Sequence, residues 1–199
     1  MGSIIYEDTL QQNRGGDDKH AMKHEWWAAH GIEVVRTRFD GNHEVPWSFG
    51  DYWAETSTNV VVDSKASIAE VSANLGREHD RFRREINRAN SDGCLLVVLV
   101  ETDEAACVED VSGWVNSHCR RCNVWRRGNC DPTDKESAFC RKHGTKKPLQ
   151  GETVAKQMRT MELTRSVRFE FVRPDESARR ICELLGVMYE DEGGDQVVR

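Results

Sequence analysis

The sequence predicts an α/β fold, a small mixed central sheet flanked by helices, and three observations support it. An uninterrupted apolar run at residues 95–100 is typical of a strand buried on both faces. Apolar residues at spacings of three, four and seven over residues 68–89 indicate an amphipathic helix. Strand and helix signals then alternate along the chain, which favours a mixed sheet with helices packed on it.

The first part of the chain is predicted from turn and capping signals. Asp18 can cap a helix that Gly31 ends. Two runs rich in aromatic and β-branched residues flank Thr56-Ser57-Thr58, which is a hairpin signal. We therefore expect, in order, a flexible lead-in, a helix, a strand and the two hairpin strands, at residues 1–18, 19–30, 32–39, 49–55 and 59–65.

The second part begins with a capping box, in which Ser67 opens a long helix and Glu70 completes the box. The later elements follow the same periodicity signals, and Gly186 ends the last helix. They are predicted as a buried strand, a short helix, a helix, a strand and a helix, at residues 95–100, 108–115, 149–163, 167–172 and 174–186. The acidic tail, residues 189–199, is expected to be disordered.

Length and composition limit the class of protein. A chain of 199 residues and 22.7 kDa suits one domain, or one domain with an insertion. No apolar run reaches the roughly 18 residues that a membrane span needs. The first 14 residues have neither a basic start nor an apolar core of secretory length, so we expect a cytoplasmic protein. The net charge of −6 argues against a purely electrostatic nucleic-acid coat protein.

The hairpin brings carboxylates together. If Thr56-Ser57-Thr58 is the turn, Asp51 lies directly opposite Asp63, and Lys65 shares the face of Asp63. Two opposed carboxylates repel unless a cation lies between them, and Mg²⁺ is commonly held by one or two carboxylates with waters and phosphate oxygens. With a two-residue turn the carboxylates would be diagonal, and the remaining alternative is an ordinary solvated hairpin face.

These segments resemble a known family. Gly50-Asp51-Tyr52, Val62-Asp63-Ser64-Lys65, the stretch from Arg81 to Glu85 and the strand at residues 96–101 are similar to the XPF-type nuclease domain. That domain belongs to the PD-(D/E)xK, restriction-endonuclease-like superfamily. The resemblance covers residues 31–115 and 150–186 and is greatest to small bacterial and phage nucleases. Here Asp63 and Ser64 replace the glutamate and arginine of the family's Glu-Arg-Lys core.

The resemblance implies a restriction-endonuclease-like core at residues 19–116 and 149–188 and a Mg²⁺- or Mn²⁺-dependent endonuclease acting on DNA. Asp51 and Asp63 would bind the metal, and Lys65 would be the catalytic lysine. Glu25, the only acid inside the first helix, would join them unless that helix serves only for packing. Arg81 would contact phosphate or form a helix pair with Glu85. The family also implies a possible homodimer.

Residues 117–148 form a basic, cysteine-rich insertion outside the resemblance. Cys119-x2-Cys122 and Cys140-x2-His143 are two chelating pairs, which suit a tetrahedral structural zinc site. Cys130 and His118 are alternative ligands, and the other reading is a loop with free thiols. The seven cysteines are an odd number in a chain without an export signal, which argues against a disulfide framework.

The insertion also concentrates positive charge, with nine Lys or Arg residues against three acids, a net +6. Trp125 lies among the arginines, so phosphate contacts and base stacking are both available. We expect nucleic-acid contacts from Arg120, Arg121, Trp125 and Arg126. Three functions remain open: a metal-dependent nuclease, a non-catalytic zinc-bearing nucleic-acid-binding module on a nuclease-like fold, and a structural protein whose insertion binds a partner.

Overall fold

A computed structural model describes residues 3–9, 20–41, 44–130, 140, 148–190 and 196–197. Six strands, β1 to β6, form a mixed sheet; they are Ser3–Asp8, Ile32–Thr37, Tyr52–Trp53, Val60–Lys65, Leu95–Glu101 and Val167–Val172. Their order across the sheet is β2-β1-β3-β4-β5-β6. Within this sheet the β1–β3 and β3–β4 pairs are antiparallel, and the other three pairs are parallel. The predicted α/β fold with a mixed sheet flanked by helices is confirmed.

Helices cover both faces of this sheet. The seven described α-helices, α1 to α7, are Ala21–Ala29, Ile68–Leu75, His79–Ser91, Ser117–Arg120, Asn123–Arg126, Gly151–Thr164 and Ser177–Leu185. Two 3-10 turns lie at Asp110–Gly113 and Pro174–Glu176. Among the described helices, none combines the length and the apolar character needed to cross a membrane.

The core has two layers because side chains alternate across each strand. Val61 packs with Phe82 and Met158 on the face covered by α2, α3 and α6, which we call the α3 face. Val62 packs with Trp27 of α1 on the opposite side, the α1 face, which α7 also covers. The apolar strand β5 contributes to both layers, as expected for a strand buried on both faces.

The N-terminal segment differs from its prediction. Residues 3–8, expected within a flexible lead-in, form β1, an inner strand of the sheet between β2 and β3. Ile5 is fully buried there, and Glu7 and Asp8 are buried as well. The lead-in prediction is therefore wrong for these residues. The apolar run is too short for a periodic signal, and the two acids after it have the polarity of a loop.

The predicted long helix is two helices. Ser67 caps α2 as expected, because its hydroxyl accepts a hydrogen bond from the backbone N–H of Glu70. The helix ends at Gly76, and α3 starts three residues later. A Cβ at Gly76 would lie 3.1 Å from the carbonyl oxygen of Ser72 and 3.5 Å from Leu149, so this close packing favours glycine at the break.

The C-terminal tail is also more ordered than predicted. Strand β7, Tyr189–Glu190, pairs antiparallel with β8, Gln196–Val197. Tyr189 is buried and lies edge-on to Trp26 of α1, with ring centroids 5.2 Å apart. This aromatic contact joins the start of the small hairpin to the body of the fold, so the prediction of a disordered tail is wrong for these two strands.

Candidate active site

Three aspartates form a row across β1, β3 and β4. Tyr52 pairs with Val62, which places Asp51 opposite Asp63, and the N–H of Asp51 donates to the carbonyl of Val62 at 2.8 Å. The predicted hairpin register is confirmed. On the other side, the N–H of Asp8 donates to the carbonyl of Asp51 at 2.9 Å. Asp8, Asp51 and Asp63, the aspartate row, line one cleft on the α3 face.

Gly50 allows the chain to enter this row. Its φ of +76° is in the left-handed region that favours glycine, and an added Cβ would meet Cγ1 of Val61 at 2.2 Å. The N–H of Gly50 donates to Oε1 of Glu85 on α3 at 3.1 Å. Conformation, space and this hydrogen bond together determine where the neighbouring carboxylate of Asp51 lies.

Each carboxylate at the centre of the row has its own partners. Nζ of Lys65 donates to Oδ1 of Asp63 at 2.5 Å, and both side chains are almost fully buried. Oδ2 of Asp63 is buried, and among the described residues no group hydrogen-bonds to it. Oδ2 of Asp51 accepts from the backbone N–H of Ser64 at 2.7 Å. One carboxylate oxygen thus remains available to a cation.

The electrostatics of this group are dominated by carboxylates. Burial raises the pKa of Asp63 well above its ordinary value; Lys65 opposes this, and the charges of Asp51 and Glu85 add to it. Burial alone would lower the pKa of Lys65, but Asp63, Asp51 and Glu85 outweigh it and raise that pKa. Both shifts follow from an excess of negative charge in a poorly solvated place, so Lys65 stays an ammonium at neutral pH and the group attracts cations.

A cleft of about 1050 Å³ opens above the aspartate row. Its floor is the row with Lys65, and its wall is the α2–α3 pair. The wall residues with charged side chains are Glu70, Arg77, Glu78, Arg81, Glu85 and Arg88. The cleft therefore has an acidic floor beside a wall that carries three arginines.

The structure treats two predicted site residues differently. Glu25 is exposed on α1, which packs on the opposite face of the sheet through Trp27, so the structure does not bring Glu25 to the cleft. Arg81 does line the cleft, but its guanidinium pairs with Glu78 at 3.3 Å, while Glu85 binds Gly50. The alternative Arg81–Glu85 helix pair is not formed, because Glu85 turns towards the sheet.

Sequence reasoning missed Asp8 and underrated Glu85. The signal for Asp8 was the β-forming run Ile4-Ile5-Tyr6 directly before two acids, because a strand that ends in a carboxylate can place it beside other strand ends. The signal for Glu85 was its position four residues after Arg81, on the same helix face. Neither pattern predicts which strand or loop the side chain of Asp8 or Glu85 contacts.

The α1 face supports the row from behind with a second polar cluster. Glu7 and Tyr52, the sequence neighbours of two row aspartates, are fully buried there. Glu7 accepts from Nε2 of His24 at 3.0 Å and pairs with Nε of Arg36 at 3.3 Å. The Tyr52 hydroxyl lies 3.0 Å from Nδ1 of His20. These contacts tie β1, β2, β3 and α1 together directly behind the cleft.

The described part of the insertion lies apart from the cleft lining. Arg120 pairs with Glu104 at 2.7 Å, and Nε of Arg121 donates to the carbonyl of Ser117 at 3.3 Å. Trp125 is half-buried and Arg126 is exposed. None of these four predicted nucleic-acid contacts is among the residues that line the cleft.

The cysteines of the insertion cluster. Cys119, Cys122 and Cys140 are buried, and the predicted ligand His143 lies outside the described residues. Burial raises the pKa of Cys119, and the charges of Cys130, Cys140 and Cys122 raise it further, which indicates that the four thiols are neighbours. Cys130 is half-buried, and none of these four described cysteines is in a disulfide.

Over the described ranges, no group of three or more His, Cys, Asp or Glu side chains is arranged so that it could hold a metal ion by itself. Comparisons of the chain with protein-family models, with curated proteins and with solved structures find no match. The chemistry of the cleft is therefore inferred from its own residues. Two opposed carboxylates are enough for Mg²⁺ when waters and substrate phosphate complete its shell, and the buried Oδ2 of Asp63 fits that requirement.

Proposed function

We propose that this protein is a divalent-metal-dependent nuclease that hydrolyses phosphodiester bonds, with DNA as its substrate. The observation that carries the proposal is the opposition of Asp51 and Asp63 beside Lys65, with a buried oxygen of Asp63 that no described group hydrogen-bonds. The family resemblance adds an endonucleolytic mode and a possible homodimer to the proposal, and we also propose a cytoplasmic setting.

Asp51 and Asp63 would hold Mg²⁺ or Mn²⁺. A bound divalent ion supplies a water of lowered pKa as nucleophile and polarises a phosphoryl oxygen. The backbone N–H of Ser64 fixes one oxygen of Asp51 and leaves the other for the cation. Glu85 acts one step further away, because its bond to Gly50 sets the entry of Asp51 into the row.

Lys65 has a defined part in this proposal. Its raised pKa keeps it protonated at neutral pH, so it serves as a cation and is a poor general base. From its place beside Asp63 the ammonium can orient the attacking water and offset negative charge on the phosphoryl group in the transition state.

The cysteine cluster supports a structural zinc ion as a further part of the proposal. Cys119, Cys122 and Cys140 would be ligands, as the spacing suggests, and His143, Cys130 or His118 would be the fourth. Without a bound cation, nothing attracts the four sulfur atoms towards a common centre. They would reach the Zn–S bonding distance of roughly 2.3 Å only when zinc binds, so the zinc proposal does not require a preformed tetrahedral site. The second candidate function, a non-catalytic zinc-bearing nucleic-acid-binding module, rests on this same cluster.

The test is cleavage of supercoiled plasmid and of single-stranded DNA with Mg²⁺, with Mn²⁺ and with chelator. We expect metal-dependent cleavage that Lys65→Ala slows by about 100-fold or more, because a transition-state charge partner is lost. The matched control is Lys156→Ala, which removes an exposed lysine of α6 outside the cleft. Full cleavage in chelator, or equal rates for Lys65→Ala and Lys156→Ala, would favour the non-catalytic alternative.

A further inference from the structure

We infer that Arg77, Arg81 and Arg88, the arginine rim, form a track for the phosphate backbone of a nucleic-acid strand along the α2–α3 wall of the cleft. All three line the cleft, whereas the described arginines of the insertion do not. The inference rests on the proposed function, since it names how that site would bind its substrate.

The rim follows from the helical geometry of α3. Phe82, Ile86 and Ala89 face the core, so the helix is anchored on its apolar side. Arg81 and Arg88 are seven residues apart, which is close to two turns and places both on one stripe. Arg77, in the turn after α2, extends this stripe beyond the start of the helix. The result is a line of guanidinium groups with its inner side over the cleft.

The rim arginines are free to bind an anion. The side chains of Arg77 and Arg81 are 74% and 64% exposed, and they share the single carboxylate of Glu78, at 3.5 and 3.3 Å. Arg88 is exposed, and no carboxylate of the described residues lies within ion-pair distance of it. Of the three wall glutamates, Glu78 pairs with the rim, while Glu70 and Glu85 accept from the backbone N–H groups of Ala66 and Gly50. The guanidinium groups therefore keep donors for phosphate.

The spacing of the rim suits a polymer better than a single phosphate. Seven residues of helix separate Arg81 from Arg88 by about 10 Å, which matches the rise of about three nucleotides in one DNA strand. The acidic floor repels phosphate, while the rim attracts it. A strand held by the rim would therefore present one phosphodiester to the aspartate row only where a cation offsets the floor.

The experiment measures binding of fluorescent duplex and single-stranded DNA by fluorescence anisotropy, over a series of salt concentrations and in chelator, so that cleavage does not interfere. The test variant is Arg77→Gln/Arg88→Gln. The matched controls are Arg83→Gln and Arg83→Gln/Arg159→Gln, which remove exposed arginines that lie off the Arg81–Arg88 stripe and do not line the cleft. The double variants carry the same change in net charge.

We expect the rim variant to bind about tenfold more weakly per arginine lost at 0.1 M salt, and its slope of log K against log salt to fall by about 2. The controls should keep the wild-type slope. Equal losses of DNA affinity in the rim and control variants would mean that DNA is attracted by positive charge spread over the protein surface and not by these three arginines, and would overturn the track. An unchanged rim variant of a wild-type protein that binds DNA would overturn the track alone. A wild-type protein that binds no DNA in chelator would also overturn the track, and one that in addition fails to cleave DNA with Mg²⁺ or Mn²⁺ would overturn the proposed function as well.

Discussion

Asp63 and Lys65 form a buried ion pair whose members depend on each other. Removing one partner of such a pair leaves the other charge desolvated, which typically costs 3–5 kcal/mol, whereas replacing both with neutral groups of similar shape is often neutral or stabilising. Asp63→Asn should therefore lower the free energy of unfolding by about 3 kcal/mol, and Asp63→Asn/Lys65→Met should recover most of it. Urea unfolding measures both variants.

Asp51→Asn is the control for that series, because an amide oxygen can still accept the bond from the N–H of Ser64. It should stay within about 1 kcal/mol of the wild type. The opposite result would be an Asp63→Asn variant as stable as the wild type and an Asp63→Asn/Lys65→Met variant that is less stable. Lys65 would then be stabilised by other carboxylates, and the mutual dependence of Asp63 and Lys65 would be contradicted.

The raised pKa of Asp63 predicts how metal affinity depends on pH. A divalent ion binds the ionised carboxylate, so protons compete with it as the pH falls. Because this pKa lies well above the ordinary aspartate value of about 4, the loss of Mn²⁺ affinity should begin at a clearly higher pH than for an exposed aspartate. Calorimetric titration with Mn²⁺ at a series of pH values measures it. Affinity that stays level down to about pH 4 would contradict the assignment of Asp63 as a ligand.

At the scale of elements, the turn at Gly50 packs closely against Val61 of β4. Gly50→Ala must adopt a positive φ and also place a Cβ 2.2 Å from Cγ1 of Val61. Gly93→Ala is a matched control, because Gly93 has a φ of +67° with no atom within 4 Å of the added Cβ. We expect about 1 kcal/mol of destabilisation for Gly93→Ala and about 3 kcal/mol or more for Gly50→Ala. Thermal unfolding compares them, and equal losses would show that the close approach to Val61 relaxes freely.

The cysteine-rich segment makes a separate prediction at this scale. Protein purified without chelator should hold about one zinc per chain by elemental analysis, and Cys119→Ser should lose it. Cys130→Ser, His118→Ala and His143→Ala then decide the fourth ligand, since only one of the three should lose the metal. Cys107→Ser is the control, because Cys107 is exposed and lies outside the cluster. Wild-type protein without zinc would leave this segment with free thiols only.

The whole molecule shows which features local patterns can predict. The hairpin register and the helix cap of Ser67 were predictable, because each depends on neighbouring residues and regular geometry. The face of the sheet that α1 covers is set by distant packing, which is why Glu25 was assigned to the wrong side. Residues 3–8 were missed for the same reason, since two buried acids become strand residues only when β2 and β3 enclose them. The partners of buried Glu7, which are His24 and Arg36, likewise come from other elements.

The position of β1 has a consequence for how the sheet is assembled. With β1 as the starting strand, β2 joins one side and β3 the other, and β4, β5 and β6 then each join the edge left by the strand before. No later strand has to be inserted between two that are already paired. The sheet can therefore grow outward in the order of synthesis. The aspartate row is complete once β4 has been added, before β5 and β6 have been synthesised.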